Sequence, residues 1–323
     1  MLKKHPPIHL LAALTSLVLA PFAPSVGAVA ITDRLATDLL AQRVVTQDVE
    51  AAGYFQQGVS RYNEGRLDAA IVAFRQALER DPRIAIAHYY LGNVLNEKGR
   101  TEEAIAEYRR AVGLNPNLPD AYYNLGVIYY KQGLLEEAIA AYDRALAINP
   151  EYSNAYYNLG VILFQQGRLD EAIVAYNQVT RLNPNNPKAY YNLGIALENQ
   201  GQLAAATDAY QRAIAIDPNL TEIHNALGNV LSRQNQPEEA IAAYKEAISR
   251  QPQNVAAHYN LGVLLYYQNQ LKEAINPLKR ARDLYKSQGD LDKAEQVNQL
   301  IQQIEILRKQ PSSSSSLRSV EQA

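Results

Sequence analysis

The chain has 323 residues, 47% of them hydrophobic and 20% charged, with 31 basic against 33 acidic side chains and no Cys. That composition supports a sizeable buried core, and it excludes disulfide staples, thiolate metal sites and cysteine nucleophiles. A formal net charge of −2 lacks the basic excess that a phosphate backbone demands, so nucleic acid is not an expected partner.

The first thirty residues differ from the rest. Lys3 and Lys4 precede an apolar run from Ile8 to Ala20, and Ala28-Val29-Ala30 offers a small-residue cleavage site. This order predicts a secretory signal peptide over 1–30, with a mature start at Val29 or Ile31. The run falls short of the roughly twenty residues a spanning helix needs, and Pro21 and Pro24 interrupt it. An uncleaved anchor is the alternative, and with no Cys after the run it is not a lipoprotein. Loss of Lys3 and Lys4 would take the charge from −2 to −4. Residues 31–50 read as a linker or a short N-terminal helix.

From residue 51 onward the chain repeats itself every 34 residues. Pro82, Pro116, Pro150, Pro184, Pro218 and Pro252 mark one position. Gly58, Gly92, Gly126, Gly160, Gly194, Gly228 and Gly262 mark another, and Gly65, Gly99, Gly133, Gly167, Gly201, Asn235 and Asn269 a third. Seven repeats follow, at 51–84, 85–118, 119–152, 153–186, 187–220, 221–254 and 255–288. In each, large apolar side chains at helical spacing lead to a Gly or Asn suited to a left-handed stop, and a second amphipathic stretch ends before Pro. The Gly at the eighth position lies inside the first helix, where it costs about 1 kcal/mol relative to Ala. Its recurrence implies a close helix–helix approach.

The third repeat shows the framework in full: Tyr122, Leu125-Gly126, Ala138, Tyr142, Ala145 and Pro150. On these residues the chain resembles the tetratricopeptide-repeat (TPR) family over 51–288. The resemblance implies an all-α, right-handed solenoid of helix–turn–helix units with a concave groove. Departures fall at the ends: Gln57 and Arg61 in the first repeat, Pro277, Leu278 and Lys286 in the seventh. Beyond it, an apolar stripe of Leu291, Ala294, Val297, Ile301 and Ile304 predicts a capping helix within 289–310, and the Ser-rich 311–323 is expected to be disordered.

Within the repeats, several constellations invite chemistry and are absorbed by the fold. Acidic pairs such as Glu102-Glu103, Glu136-Glu137, Asp170-Glu171 and Glu238-Glu239 all open a second helix, where the macrodipole favours negative charge. His88, His224 and His258 replace the Tyr that other repeats carry at the fourth position, which argues for packing over metal ligation. No phosphate loop, nucleophile elbow or zinc-protease motif is present, so no cofactor, metal or enzymatic activity is expected. Asn219-Leu220-Thr221 is a formal glycosylation sequon.

By resemblance, the second, fifth, ninth, twelfth and thirteenth positions of the repeat face the groove, and Asn at the sixth can line it as a ladder. The fifth holds Tyr89, Tyr123, Tyr157, Tyr191 and Tyr259; the sixth holds Asn124, Asn158, Asn192 and Asn260. Asn carries both an amide donor and a carbonyl acceptor, so such a ladder would pair with the backbone of an extended peptide, as in the TPR superhelix of O-GlcNAc transferase. A clamp for a terminal carboxylate is absent, because no fifth position carries Lys. The sequence thus predicts a non-catalytic, exported scaffold (periplasmic, lumenal or secreted) for a peptide or protein partner. An adaptor serving a separate enzyme is the alternative.

Overall fold

A computed structural model describes residues 46–309. The expected signal peptide, most of 31–50 and the 311–323 tail lie outside the described residues. Fifteen α-helices and no strand occur among the described residues, in two compact units divided between Asn183 and Pro184. The first unit holds α1 (Val49–Asn63), α2 (Leu67–Arg80), α3 (Ala85–Glu97), α4 (Thr101–Leu114), α5 (Pro119–Lys131), α6 (Leu135–Ile148), α7 (Ser153–Gln165) and α8 (Leu169–Leu182). The second holds α9 (Pro187–Asn199), α10 (Leu203–Ile216), α11 (Thr221–Arg233), α12 (Pro237–Arg250), α13 (Val255–Tyr267), α14 (Leu271–Ser287) and α15 (Leu291–Lys309). Inside each unit the two helices of a repeat pack together, and the second leans on the first helix of the next repeat. This is the layering of a TPR solenoid.

The three periodic positions have distinct physical jobs. Gly65, Gly99, Gly133, Gly167 and Gly201 turn between helices at φ of 71–82°, and Asn235 and Asn269 take the same left-handed conformation at 59° and 57°. At the repeat ends, the N–H groups of Asp81, Asn115, Asn149 and Asp217 close the last helical bond in extended backbone, and a Pro without an N–H follows. The eighth-position Gly is a seat for a ring in six repeats and for Leu278 in the seventh. A Cβ on Gly126 would lie 2.6 Å from Tyr142 Cε1, and one on Gly228 2.5 Å from Tyr244 Cε1. Those tyrosines, with Tyr108, Tyr176 and Tyr210, are the largest fully buried side chains. The helical cost of Gly is therefore offset by a ring that no larger residue would admit.

The ends are finished differently. In α1, Gln57 is exposed, and Arg61 folds back so that its guanidinium donates to the Ala69 carbonyl at 3.3 Å and to Gln57 Oε1 at 3.3 Å. Asp48 caps α1 by accepting from the Ala51 N–H at 2.9 Å. Helix α14 continues through Pro277 and, lacking the terminal Pro, runs to Ser287. Helix α15 packs on α14 through Ala294, Val297, Ile301 and Ile304. Leu291, read as part of that stripe, is instead 66% exposed at the first position of the helix. No helix among the described residues is long and apolar enough to cross a membrane.

Candidate interaction face

The first helices of neighbouring repeats touch, so their fifth, sixth, ninth, twelfth and thirteenth positions line one face in each unit. The sixth-position Asn residues on it do not stand as an open ladder. Asn124 Nδ2 donates to Asn93 Oδ1 at 2.9 Å and to the Tyr108 hydroxyl at 3.3 Å, while that hydroxyl donates to Asn93 Oδ1 at 2.7 Å. A related hub forms on Asn229 in the second unit. Asn260 Nδ2 donates to Asn229 Oδ1 at 2.9 Å and to Asn225 Oδ1 at 3.2 Å, and the Tyr244 hydroxyl donates to Asn229 Oδ1 at 2.9 Å. Where the ninth position is Val127, Asn158 Nδ2 turns to the hydroxyls of Tyr142 at 3.3 Å and Tyr123 at 3.4 Å. The physical reason is the buried phenol: a Tyr ring seated on Gly carries its hydroxyl inward, and a buried hydroxyl needs a partner. Asn192 is likewise buried.

The fifth-position tyrosines are also more enclosed than a groove-facing reading implies. Tyr123, Tyr157 and Tyr191 are buried, whereas Tyr89 and Tyr259 are half-buried. Each of four packs against the buried ring of its own repeat, with centroids 6.1 Å apart for Tyr89–Tyr108, 5.8 Å for Tyr123–Tyr142, 6.1 Å for Tyr157–Tyr176 and 5.9 Å for Tyr191–Tyr210. Burial pushes the Tyr123 hydroxyl up to about 12, and Tyr142 higher still. The residues that do reach solvent lie one or two turns further on. Tyr62, Tyr130 and Phe164 are half-buried at the twelfth position, and Glu97, Lys131 and Gln165 are exposed at the thirteenth.

These outer positions pair across repeats. Gln165 Nε2 donates to the Tyr130 hydroxyl at 2.9 Å. The Tyr62 hydroxyl bonds the Glu97 carboxylate, and burial followed by that carboxylate raises its pKa to about 12. In the second unit the equivalent pair is ionic, Arg233 to Glu198 Oε1 at 3.0 Å, with the Tyr210 hydroxyl on Glu198 Oε2 at 2.9 Å. Tyr152, not singled out from sequence, enters from a repeat junction: its ring lies 4.9 Å from Tyr123 and its hydroxyl donates to Asp120 Oδ1 at 2.8 Å.

The remaining constellations are fasteners. The first acid of two pairs reaches the next repeat: Glu102 accepts from Gln132 at 3.0 Å and Glu136 from Gln166 at 3.0 Å, with Asp68–Lys98 in the same register at 2.5 Å. The second acid holds its own turn, as in Arg100–Glu103 and Arg168–Glu171. Each His sets Nε2 against the carbonyl of the preceding repeat's Pro, at 3.1 Å for His88–Pro82, 3.4 Å for His224–Pro218 and 3.1 Å for His258–Pro252. His88 alone meets a carboxylate with Nδ1, Glu107 Oε2 at 2.5 Å. No cluster of three or more metal-ligating side chains occurs among the described residues.

Sequence reasoning missed Asn93 and Asn229. A signal existed: Asn stands at the ninth position only in the second and sixth repeats, and each time the next repeat has Asn at the sixth.

No curated protein matches the chain significantly. Among solved structures it is similar to YrrB, described as "a TPR protein with an unusual peptide-binding site", at 26% identity and a TM-score of 0.54, over 57% of this chain and 95% of that one. It is similar to MamA at 27% identity and a TM-score of 0.51, over 53% of this chain and 94% of the other. PilF of Pseudomonas aeruginosa shares the fold at 22% identity and a TM-score of 0.52, over 68% and 97%. A tetratricopeptide-repeat model matches residues 225–289, and the model of the "Cilia and flagella-associated protein 70 C-terminal domain", itself a TPR family, matches residues 10–251. By repeat register, fold and these matches, the chain belongs to that family of tetratricopeptide-repeat domains.

Proposed function

We propose that the protein is a non-catalytic interaction scaffold, exported from the cytoplasm, whose first-helix face holds an extended segment of a partner protein. The observation that carries this reading is the row of side chains that cross repeats yet keep polar atoms at solvent, such as Tyr62–Glu97 and Tyr130–Gln165. A surface of phenols, amides and aliphatic edges presented on stiff stacked helices suits a segment that lies across several repeats. The peptide-binding site described for YrrB, a structural neighbour, supports the same reading. Because the Asn124, Asn158 and Asn260 amides are committed internally, contact falls to the twelfth and thirteenth positions and to the half-buried tyrosines. The buried Tyr157 then shapes the floor in the first unit, and the buried Tyr191 and Asn192 in the second.

Two measurements test it. Capture of proteins from the exported fraction on wild-type protein should return a partner that a Tyr130→Ala/Gln165→Ala variant with an unchanged melt holds at least ten-fold more weakly. Equal capture would remove this face as the binding surface. For export, N-terminal sequencing of the protein recovered outside the cytoplasm should begin at Val29 or Ile31, and an intact Met1 would indicate an anchor.

A further inference from the structure

The three repeat histidines share one bond and differ in a second. His88, His224 and His258 each set Nε2 against the carbonyl of the preceding repeat's Pro, Pro82, Pro218 or Pro252. A carbonyl only accepts, so Nε2 carries the hydrogen and donates in all three. His224 and His258 ask for nothing more, because neither sets Nδ1 against an acceptor. His88 does. Its Nδ1 lies 2.5 Å from Glu107 Oε2, and both side chains are buried. Glu107 Oε1 in turn accepts from the Arg110 guanidinium at 2.5 Å. A neutral imidazole has one N–H and one lone pair. In either tautomer of His88 that lone pair would point at an oxygen, the Pro82 carbonyl or the Glu107 carboxylate.

We infer that His88 and Glu107 hold a buried proton between them at neutral pH, and that this proton is a pH-sensitive latch on the junction between the first and second repeats. With it, the His88 ring donates twice, to Pro82 in the junction and to Glu107 in α4. The surroundings suit a cation. The charged groups lining the same cleft are Arg75 and Glu79 of α2 and Glu103, Glu107 and Arg110 of α4, and α1 contributes none. Three carboxylates thus stand beside the ring against two guanidinia, and Arg75 is turned to Glu103 at 3.4 Å. When the proton leaves, the bond to Glu107 goes with it, and a buried carboxylate faces a lone pair. The direction of the pH effect follows. In the unfolded chain the imidazole releases its proton as pH rises through about 6.5, while the folded pair still holds one. The folded state then binds more protons, so stability is full below 6.5 and falls as pH rises until the folded pair lets go. That is opposite in sign to the effect of His224 and His258, and it does not depend on which face holds a partner.

The test is nitrogen-15 NMR of the full chain with labelled imidazoles at pH 7.5, the His88 signals being assigned by their loss in His88→Tyr. Wild-type His88 should show hydrogen on both ring nitrogens, and His224 and His258 on one each. Glu107→Gln keeps the shape, offers its amide N–H to Nδ1 and leaves its carbonyl for Arg110, so it removes the need for the proton. In that variant His88 should carry hydrogen on Nε2 alone. Hydrogen exchange at residues 83–91, corrected for the intrinsic rate, should rise about three- to ten-fold between pH 7.5 and 8.5 in wild type, ten-fold being the ceiling for one proton per pH unit. In Glu107→Gln it should stay within about two-fold. A wild-type His88 with a single hydrogen at pH 7.5 would overturn the shared proton, and that reading needs no variant to fold. Exchange that rises equally in wild type and Glu107→Gln would overturn the latch.

Discussion

The first and second units are written on the same 34-residue rule, yet their first-helix faces differ. Both set an Asn hub between a Tyr hydroxyl and the next repeat's Asn, Tyr108–Asn93–Asn124 in one, where Asn124 also reaches Tyr108 to close a triangle, and Tyr244–Asn229–Asn260 in the other. Their twelfth and thirteenth positions diverge. The first unit sets Tyr62, Tyr130 and Phe164 there beside Glu97, Lys131 and Gln165, while the second sets Glu198, Ser232 and Arg233, with Tyr266 and Tyr267 only in its last repeat. The inward amide–phenol contacts recur in both units, whereas the outer pairs across repeats change from neutral in Tyr130–Gln165 to ionic in Glu198–Arg233. The fold therefore spends its Asn residues on holding repeats together, and whatever discriminates a partner lies in what changes between units.

The largest effect should come from the shared core, equally in both units. Gly126→Leu and Gly228→Leu each drive a side chain into a buried Tyr ring already 2.5–2.6 Å from where a Cβ would sit. Overpacking of that kind costs about 1–3 kcal/mol or more. Urea unfolding followed by hydrogen exchange should show the loss confined to the unit that carries the change. A loss in one unit and none in the other would mean the Gly–Tyr seat is not the common element.

Removing the hub of the triangle comes next. Asn93→Ala strips the Tyr108 hydroxyl and the Asn124 amide of an acceptor, and Asn229→Ala does the same to Tyr244 and Asn260. Leaving buried polar groups unmet costs about 1–3 kcal/mol. Asn124→Ala, by contrast, leaves the Tyr108–Asn93 bond in place and should cost about 0.5–1.5 kcal/mol, partly offset by the better helix propensity of Ala. Chemical denaturation of the three variants should rank them in that order. Asn124→Ala more damaging than Asn93→Ala would break the hub assignment.

That ranking marks where sequence reasoning ran out. The solenoid was legible because Gly, Asn and Pro report backbone requirements that one residue decides alone: Gly133 and Asn269 need only their own φ. The ring on Gly126 was half legible, since the Gly announced a close approach without naming Tyr142 as the group approaching. The role of Asn158 was not, because the same Tyr-Tyr-Asn-Leu-Gly string serves a solvent-facing amide or one folded onto Tyr142 and Tyr123. Deciding between them takes the position of a ring 16 residues away and another 35 away. Leu291 fails for a simpler reason: a heptad-like stripe ignores that the first residue of a helix has no turn before it to cover it.

The cross-repeat pairs at the rim should matter less to stability and should separate the units by salt. Arg233→Ala removes a partly exposed ion pair with Glu198, worth about 0.2–1 kcal/mol and screened by salt. Gln165→Ala removes a neutral bond to Tyr130, with a similar small cost that salt leaves unchanged. Melts at 0.05 and 0.5 M NaCl should therefore converge on wild type for Arg233→Ala and not for Gln165→Ala.

The smallest effect is a pH dependence that belongs to the second unit. Burial lowers the pKa of His224 and of His258 from the ordinary value near 6.5; the Pro218 and Pro252 carbonyls pull the other way, Arg250 and Arg280 push further down, and Glu246 opposes at His224. In the unfolded chain both rings take up a proton as pH falls through about 6.5, while in the fold they resist until a lower pH. The unfolded state then binds more protons, so stability is full above 6.5 and is lost progressively as pH falls toward the folded values. In the first unit, His88 faces Glu107, whereas the positions matching Glu107 are Ala243 and Pro277 in the sixth and seventh repeats. Replacing His224 and His258 together with Tyr, the residue other repeats place there, should flatten the second unit's stability between pH 7.5 and about 5. Hydrogen exchange at the two pH values would read it unit by unit, after correction for the intrinsic rate. A second unit that weakens equally in the double Tyr variant would show that these rings are not the source.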